Sequence, residues 1–466
     1  MKVSLKIFLC GLLTIAFTAC KEESPDEPIM PGVRIDNCVV DGNTISFGIV
    51  PEKAVSCAYA YYKKGERQLT AEQVLTDASS VKVAPDSWSL AEIKDLEWET
   101  DYVVAAAAVS ESGLYALASK DITTAKYVPE VPDEPDEPGV SKDLGAGANC
   151  YVVPKKGEYF FTPSLVSGKA VEGIASVKWV WASKVLSDKQ DLVEDVEYKD
   201  GRIYFTATGK KGNVSLAALD ENDRVVWSWH IWCTDEPKTC AHANGSVFQD
   251  RWLGATDNTP NAAGSFGLLY QWGRKDPFFG GTDANDCEEY NEPPFAVATK
   301  NTVMNPELKF KWEARQEAVD IAGSVKEPTT LFSRGMLDWM SVQDDKLWGK
   351  EKTDYDPCPA GYRVPTADEL ADLRSVAGSD YNIAKGGFSF ANNGESVWWQ
   401  GSGNRDPQGY LTILGQLFAW SSDVQVYPDG SFSTRYLMND DWGCFVGIGN
   451  RSFAQSVRCV SMKSGK

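Results

Sequence analysis

The stretch Asp356-Pro-Cys-Pro-Ala-Gly-Tyr-Arg-Val-Pro-Thr-Ala-Asp-Glu-Leu370 leaves its backbone few choices. Pro357, Pro359, Gly361 and Pro365 make a stiff, turning lead-in. Thr366 then opens a capping box. Glu369 stands three residues on, where each side chain can bond the other's backbone N–H. Leu370, Leu373 and Ala377 recur at helical spacing and predict a short amphipathic helix of about three turns. Ser456-Val-Arg-Cys-Val460 is the distant partner of this stretch. A bond between Cys358 and Cys459 would close a loop worth roughly 4–5 kcal/mol.

Two acidic, proline-rich tracts punctuate the chain, at 21–31 and 128–139. Their prolines favour polyproline II and their carboxylates repel one another. The second tract is a spacer of roughly 37 Å. With a length of 466 residues, the reading is a multidomain chain. Its parts are a signal segment (1–19), a tether (20–31), a sandwich (32–126), a linker (127–142), a second sandwich (143–235) and a C-terminal domain (236–466).

Residues 32–126 are all-β in pattern. Residues 44–50 alternate, and the runs 58–62 and 102–109 are each followed by a Gly-bearing turn. A helical insertion is expected near 71–78. Residues 143–235 carry five strand candidates before a last strand at 224–232. There Val225, Trp227, Trp229 and Ile231 should face one way, and His230 and Trp232 the other. After Thr234 strands shorten, loops lengthen, and Trp and Gly become frequent.

Residues 1–20 read as a secretory signal. Lys2 and Lys6 are the positive end, and residues 7–17 form an apolar core too short to span a bilayer. The end, Phe17-Thr18-Ala19-Cys20, resembles a bacterial lipobox, with Phe17 where Leu is commoner. The resemblance implies cleavage before Cys20 and its lipidation, hence a membrane anchor. Lys21-Glu22-Glu23-Ser24 resembles the lipoprotein export signal of Bacteroidetes, which implies an outer-membrane protein facing the exterior. With 46 Lys+Arg against 66 Asp+Glu, the formal net charge is -20. Such a surface repels phosphate backbones, so nucleic acid is excluded as a partner.

The run Leu96-Glu-Trp-Glu-Thr-Asp-Tyr102, with the strands around it, resembles a fibronectin type III or related immunoglobulin-like sandwich. His230-Ile-Trp-Cys-Thr-Asp235, Phe248-Gln-Asp-Arg-Trp-Leu-Gly-Ala255, the run 267–278, the stretch 356–370 and 456–460 form an ordered set. Together they resemble the Fibrobacter succinogenes major paralogous domain, over about half the chain. Gln249, Trp252 and Cys233 depart from its pattern. That family is related to C-type-lectin-like and formylglycine-generating-enzyme-like folds. The implied fold class is two all-β immunoglobulin-like sandwiches followed by an α+β C-type-lectin-like domain.

Eleven cysteines are present. Cys10 leaves with the signal and Cys20 takes lipid. In an oxidising compartment the rest can pair. Connectivity is open, with Cys358–Cys459, Cys38–Cys57 and Cys233–Cys240 as candidates. The chain has two histidines, so a three-His zinc site is impossible. Oxygen ligands gather at 283–289 and at Asn439, Asp440 and Asp441. Calcium and solvated turns are alternative readings of them. Among the late tryptophans, Trp399 and Trp442 are candidate binding platforms, core packing being the other reading.

No Gly-rich phosphate loop appears in strand–turn–helix context, and no cysteine pair matches the copper pair of formylglycine-generating enzymes. The expected function is therefore non-enzymatic: recognition of a glycan or of a surface or matrix protein by a lectin-like head, as in an adhesin or fimbrial tip. The alternatives are an enzyme acting on surface polysaccharide and a structural subunit of a surface assembly.

Overall fold

The computed structural model describes residues 28–463 except 42, 86, 88, 125–140, 185–188, 243–244, 284, 336, 372, 374–379, 383–385, 393–394, 427–431 and 441–442. Strands hold 45% of the residues and helices 7%. No helix among the described residues is long and apolar enough to cross a membrane. The chain divides into two compact units, Met1–Pro135 and Asp136–Lys466. The lipidation candidate Cys20 lies outside the described residues.

The first unit is built from β1 (Gly32–Asp41), β2 (Thr44–Glu52), β3 (Ser56–Lys63), α1 (Ala71–Thr76), β4 (Val81–Val83), β5 (Ser89–Ile93), β6 (Asp101–Val109) and β7 (Tyr115–Thr123). One sheet runs β1-β2-β5 and the other β4-β3-β6-β7. Period-2 alternation sends Phe47, Ile49, Cys57, Tyr59, Val104 and Ala106 into a shared core. Tyr102 ties the corner before β6: its hydroxyl accepts the backbone N–H of Glu97 at 3.1 Å. This is the tyrosine corner of immunoglobulin-like sandwiches. The expected helical insertion is α1, opened by a capping box between Thr70 and Gln73. Val74 of α1 covers Ala60, Tyr62, Ala105 and Ala107 on the outer face of the second sheet. Cys57 is a buried free thiol, so the expected bond to Cys38 is not formed. Burial pushes that thiol up to about 11.

The second unit begins with β8 (Lys142–Ala146), β9 (Cys150–Val153), β10 (Gly157–Thr162), β11 (Ser176–Ser183), β12 (Val193–Lys199), β13 (Arg202–Ala207), β14 (Gly212–Leu219) and β15 (Val225–Cys233). The sheet β12-β13-β10-β8 packs on a sheet whose order is Thr302–Met304, β11, β14, β15, β9. Tyr159, Phe161, Phe205, Leu216, Trp229 and Ile231 fill the space between them. The expected alternation of β15 holds for Trp227, Trp229 and Ile231. Val225 joins Trp232 on the other side. A register shift causes this: Ala218 faces Trp227 but Leu219 faces Val225, so Val226 is an extra residue.

That second face is not solvated. Trp181, Ala217 and Trp232 belong to one core with Leu269, Trp272, Trp312, Trp339 and Trp420 of the later chain. The strand Thr302–Met304 pairs with β11. Asn149 Nδ2 donates to the carbonyls of Asp354 at 2.8 Å and Asp356 at 2.9 Å. The expected modules 143–235 and 236–466 therefore share a sheet and a core within one unit.

Beyond residue 235 the elements are short. Among the described residues, three α-helices (Ala296–Asn301, Ile321–Lys326 and Ala367–Ala371) and one 3-10 turn (Ala263–Ser265) accompany several small sheets, and the longest strands are Phe418–Val426 and Phe432–Asp440. The stretch 356–370 is a hub. Asp356 accepts Lys352 Nζ and the N–H of Cys358, each at 2.9 Å, and the N–H of Val364 at 2.9 Å. Both capping-box bonds form: Thr366 N to Glu369 Oε2 at 2.7 Å and Glu369 N to Thr366 Oγ1 at 3.3 Å. The helix they open is described over Ala367–Ala371, and most of the residues that would continue it lie outside the described ones. Leu370 and Leu373 are buried as expected, and Ala377 lies outside the described residues. Cys358 and Cys459 are disulfide-bonded, with Cα atoms 5.9 Å apart and a sequence separation of 101. Cys233 is a buried free thiol, so the expected 233–240 bond is not formed. Cys240 instead packs in the core with Phe248 and Trp399.

Candidate functional site

Trp399 is not a binding platform. It is 0% exposed. Its ring meets Phe248, Trp252 and Phe390 edge to face at 5.6, 5.1 and 5.4 Å. The Arg458 guanidinium lies 4.2 Å from its centroid. Its neighbour Trp398 is buried as well, because this strand is covered on both faces and alternation turns neither ring outward. Of the calcium candidates, Asn439 is buried with Oδ1 accepting the Leu417 N–H at 2.6 Å. That bond gives the side chain a structural role. Asp441, Trp442 and the side chain of Asp440 lie outside the described residues. No group of three or more His, Cys, Asp or Glu among the described residues could hold a metal ion.

Among the described residues, the aromatic ring most open to solvent is Tyr290, at 71% exposure. It sits in the loop that follows the acidic run 283–289, and it meets a second loop carried by the strands Asn404–Arg405 and Leu411–Thr412. Tyr290 Oη donates to Asp406 Oδ2 at 2.9 Å. Tyr410 crosses it edge to face, with centroids 4.7 Å apart. Tyr410 Oη in turn donates to the carbonyl of Glu292 at 3.1 Å. Asp406 Oδ1 accepts the N–H groups of Gln408 at 2.9 Å and Tyr410 at 3.0 Å. The two rings are therefore cross-braced by hydrogen bonds at their polar ends while Tyr290 as a residue stays largely exposed. The bond to the Asp406 carboxylate, and the charge of that carboxylate, raise the Tyr290 phenol above the ordinary tyrosine value.

Beneath the rings lies an ion pair with no solvent access. Arg405 Nη1 donates to Glu288 Oε2 at 3.0 Å, both side chains being 0% exposed. Glu288 also accepts the N–H groups of Val297 and Leu411, each at 2.8 Å. Arg405 donates further to the carbonyls of Phe279 at 2.9 Å and Gly409 at 2.7 Å. Its guanidinium lies 4.4 Å from the Phe295 ring centroid. These bonds clamp the two loops together from below, so the pair sets the position of the tyrosines. Phe295 adopts a φ of 61°, in the left-handed region that an aromatic residue rarely enters. Gly409 has a φ of 93°, and a Cβ there would lie 2.6 Å from the Phe295 ring. The close approach of loop to ring thus requires glycine.

A second polar cluster is closed to ligands. Lys275 Nζ lies 2.5 Å from Ser228 Oγ and 2.8 Å from Asp276 Oδ1. The Lys275 side chain is 1% exposed and that of Asp276 6%. This cluster joins β15 to the later chain rather than facing a substrate.

The acidic run 283–289 marks the tyrosine site only indirectly in the sequence. Within it Asp286 Oδ2 accepts the N–H of Thr282 at 2.7 Å and its hydroxyl at 2.9 Å, so this carboxylate closes a turn. Glu288 is the counter-ion of Arg405. Nothing in the spacing of Tyr290, Asp406 and Tyr410 brings them together, because more than a hundred residues separate the two loops.

No family model and no curated protein matches this chain. Among solved structures it is similar to the FN1-FN3 domains of chicken CNTN1, at 13% identity and a TM-score of 0.15, covering 47% of this chain and 75% of that one. It is also similar to SGBP-B of the Bacteroides ovatus mixed-linkage glucan utilization locus, solved in complex with a mixed-linkage heptasaccharide. There the identity is 11% and the TM-score 0.12, covering 92% of this chain and 100% of that one. At these TM-scores neither superposition defines the fold.

Proposed function

We propose that this protein is a non-enzymatic recognition protein of the cell surface that binds glycan through Tyr290 and Tyr410. In this reading Cys20 carries the lipid anchor in the outer membrane. The first unit acts as a spacer, and the C-terminal part is a C-type-lectin-like head of the Fibrobacter succinogenes major paralogous kind. The observation that carries the reading is the Tyr290 ring, 71% exposed yet fixed by a hydrogen bond to Asp406. A solvent-facing aromatic costs little ordering entropy on binding when its rotamer is already held. The apolar face of a sugar ring stacks on such a surface, and its hydroxyls donate to nearby acceptors. Asn291, next in the chain, and Gln408, two residues past Asp406, are both exposed and polar.

The test is a glycan array probed with the whole purified protein and with Tyr290→Ala. The reading expects binding to at least one glycan class and its loss in the variant. A folded wild-type protein that binds no glycan, or binds equally well without the Tyr290 ring, overturns it.

A further inference from the structure

The charge around the tyrosine pair narrows the ligand class, an inference that rests on the glycan reading above. Residues 282–294 contain Asp283, Asp286, Glu288, Glu289 and Glu292 and no Lys, Arg or His. Residues 404–413 contain Asp406 and a single cation, Arg405. Six carboxylates and one guanidinium give the two loops a net charge of -5. Arg405 cannot meet a ligand. Its side chain is 0% exposed, and its donors point to Glu288 and to the carbonyls of Phe279 and Gly409. Glu289 and Glu292 are exposed on either side of Tyr290. A sugar stacked on Tyr290 would therefore rest beside two exposed carboxylates that are its near neighbours in the chain, well inside the Debye length of about 8 Å at physiological ionic strength.

We infer that the site accepts glycans without negative charge and rejects uronate-bearing and sulfated ones. The polar groups at the rim favour the same ligands: carboxylates accept hydrogen bonds from sugar hydroxyls but can only repel a ligand carboxylate or sulfate. A basic peptide would also satisfy the charge. The experiment therefore carries such a peptide as the competing outcome.

The experiment measures binding of the whole protein to neutral gluco-oligosaccharides and to oligogalacturonate, chondroitin sulfate and a Lys/Arg-rich peptide, at about 20 mM and 300 mM NaCl. Neutral oligosaccharides should bind with little salt dependence. The acidic ones should bind at least about tenfold more weakly at low salt, the gap closing as salt screens the loops. Glu289→Gln/Glu292→Gln, two exposed changes that keep a carbonyl acceptor at each position, should raise acidic-glycan binding severalfold relative to neutral binding. Acidic glycans binding as well as neutral ones at low salt overturn the charge selection. If Tyr290→Ala abolishes that binding, the glycan reading survives alone. Binding of the peptide and of no sugar overturns both, as does binding of none of these probes.

Discussion

Arg405→Met removes the charge beneath the tyrosine pair while keeping a side chain of similar length. Glu288 then remains wholly buried, retaining the N–H bonds from Val297 and Leu411 but losing its counter-ion. Breaking a buried pair from one side costs about 3–5 kcal/mol, most of it from the stranded charge. Glu288→Gln in the same chain discharges the site. The single amide oxygen can serve one of the two N–H groups, which leaves about 1–3 kcal/mol for the other. The double variant should thus be about 2 kcal/mol more stable than Arg405→Met, although it carries one change more. Urea unfolding followed by tryptophan fluorescence reads this directly, because 14 of the 16 tryptophans lie beyond residue 136. Arg405→Met within 1 kcal/mol of wild type, or a double variant less stable than the single one, would refute the assignment of a buried, charge-compensated pair.

Other substitutions probe the rest of the structure. Cys358→Ser/Cys459→Ser releases a cross-link with a sequence separation of 101. It should lower stability by about 4–5 kcal/mol, read as a shift of the same unfolding curve that reducing agent reproduces in wild type. Burial pushes His230 down to about 3, against about 6.5 in an unfolded chain. Between those values the unfolded state holds a proton that the folded state lacks, so stability falls as pH falls from about 7 toward 3, by up to ~4 kcal/mol. His230→Gln, which keeps a donor toward Asn213, should flatten that part of the urea midpoint against pH. Tyr102→Phe orphans the Glu97 N–H and should destabilise the first unit by about 1–3 kcal/mol, seen as loss of hydrogen-exchange protection in β6 and not in β14.

What could be read from the sequence was what rests on local rules. The capping box at Thr366, the insertion helix near Ala71 and the strand runs around Tyr102 follow from spacing within a few residues. Where burial depends on distant chain, the reading failed. Strand alternation would put one of the adjacent Trp398 and Trp399 inside and one outside, yet both are covered, since Phe248 and Arg458 arrive from far along the chain. Val225 left its expected face because one extra residue shifts the register. A sequence boundary at 235 ignored that Trp232 and Trp181 have partners such as Trp272 and Trp312. The tyrosine site was invisible for the same reason. Glu288 looked like one more solvated acid until Arg405 was placed against it. The acidic run 283–289 lies in the loop that carries Tyr290, but its composition points to a cation or a solvated turn rather than to the ring beside it.

Titration of a neutral oligosaccharide chosen from the array into wild type, Tyr290→Phe and Tyr290→Ala is the most direct test of glycan recognition at this ring. Stacking predicts that the phenylalanine variant stays within a few-fold of wild type, the Asp406 tie being lost but the ring kept. The alanine variant should lose about tenfold or more, on the scale of 0.5–1.5 kcal/mol for an aromatic contact plus the apolar area it covers. Equal affinities for all three proteins would place the sugar elsewhere and contradict the account.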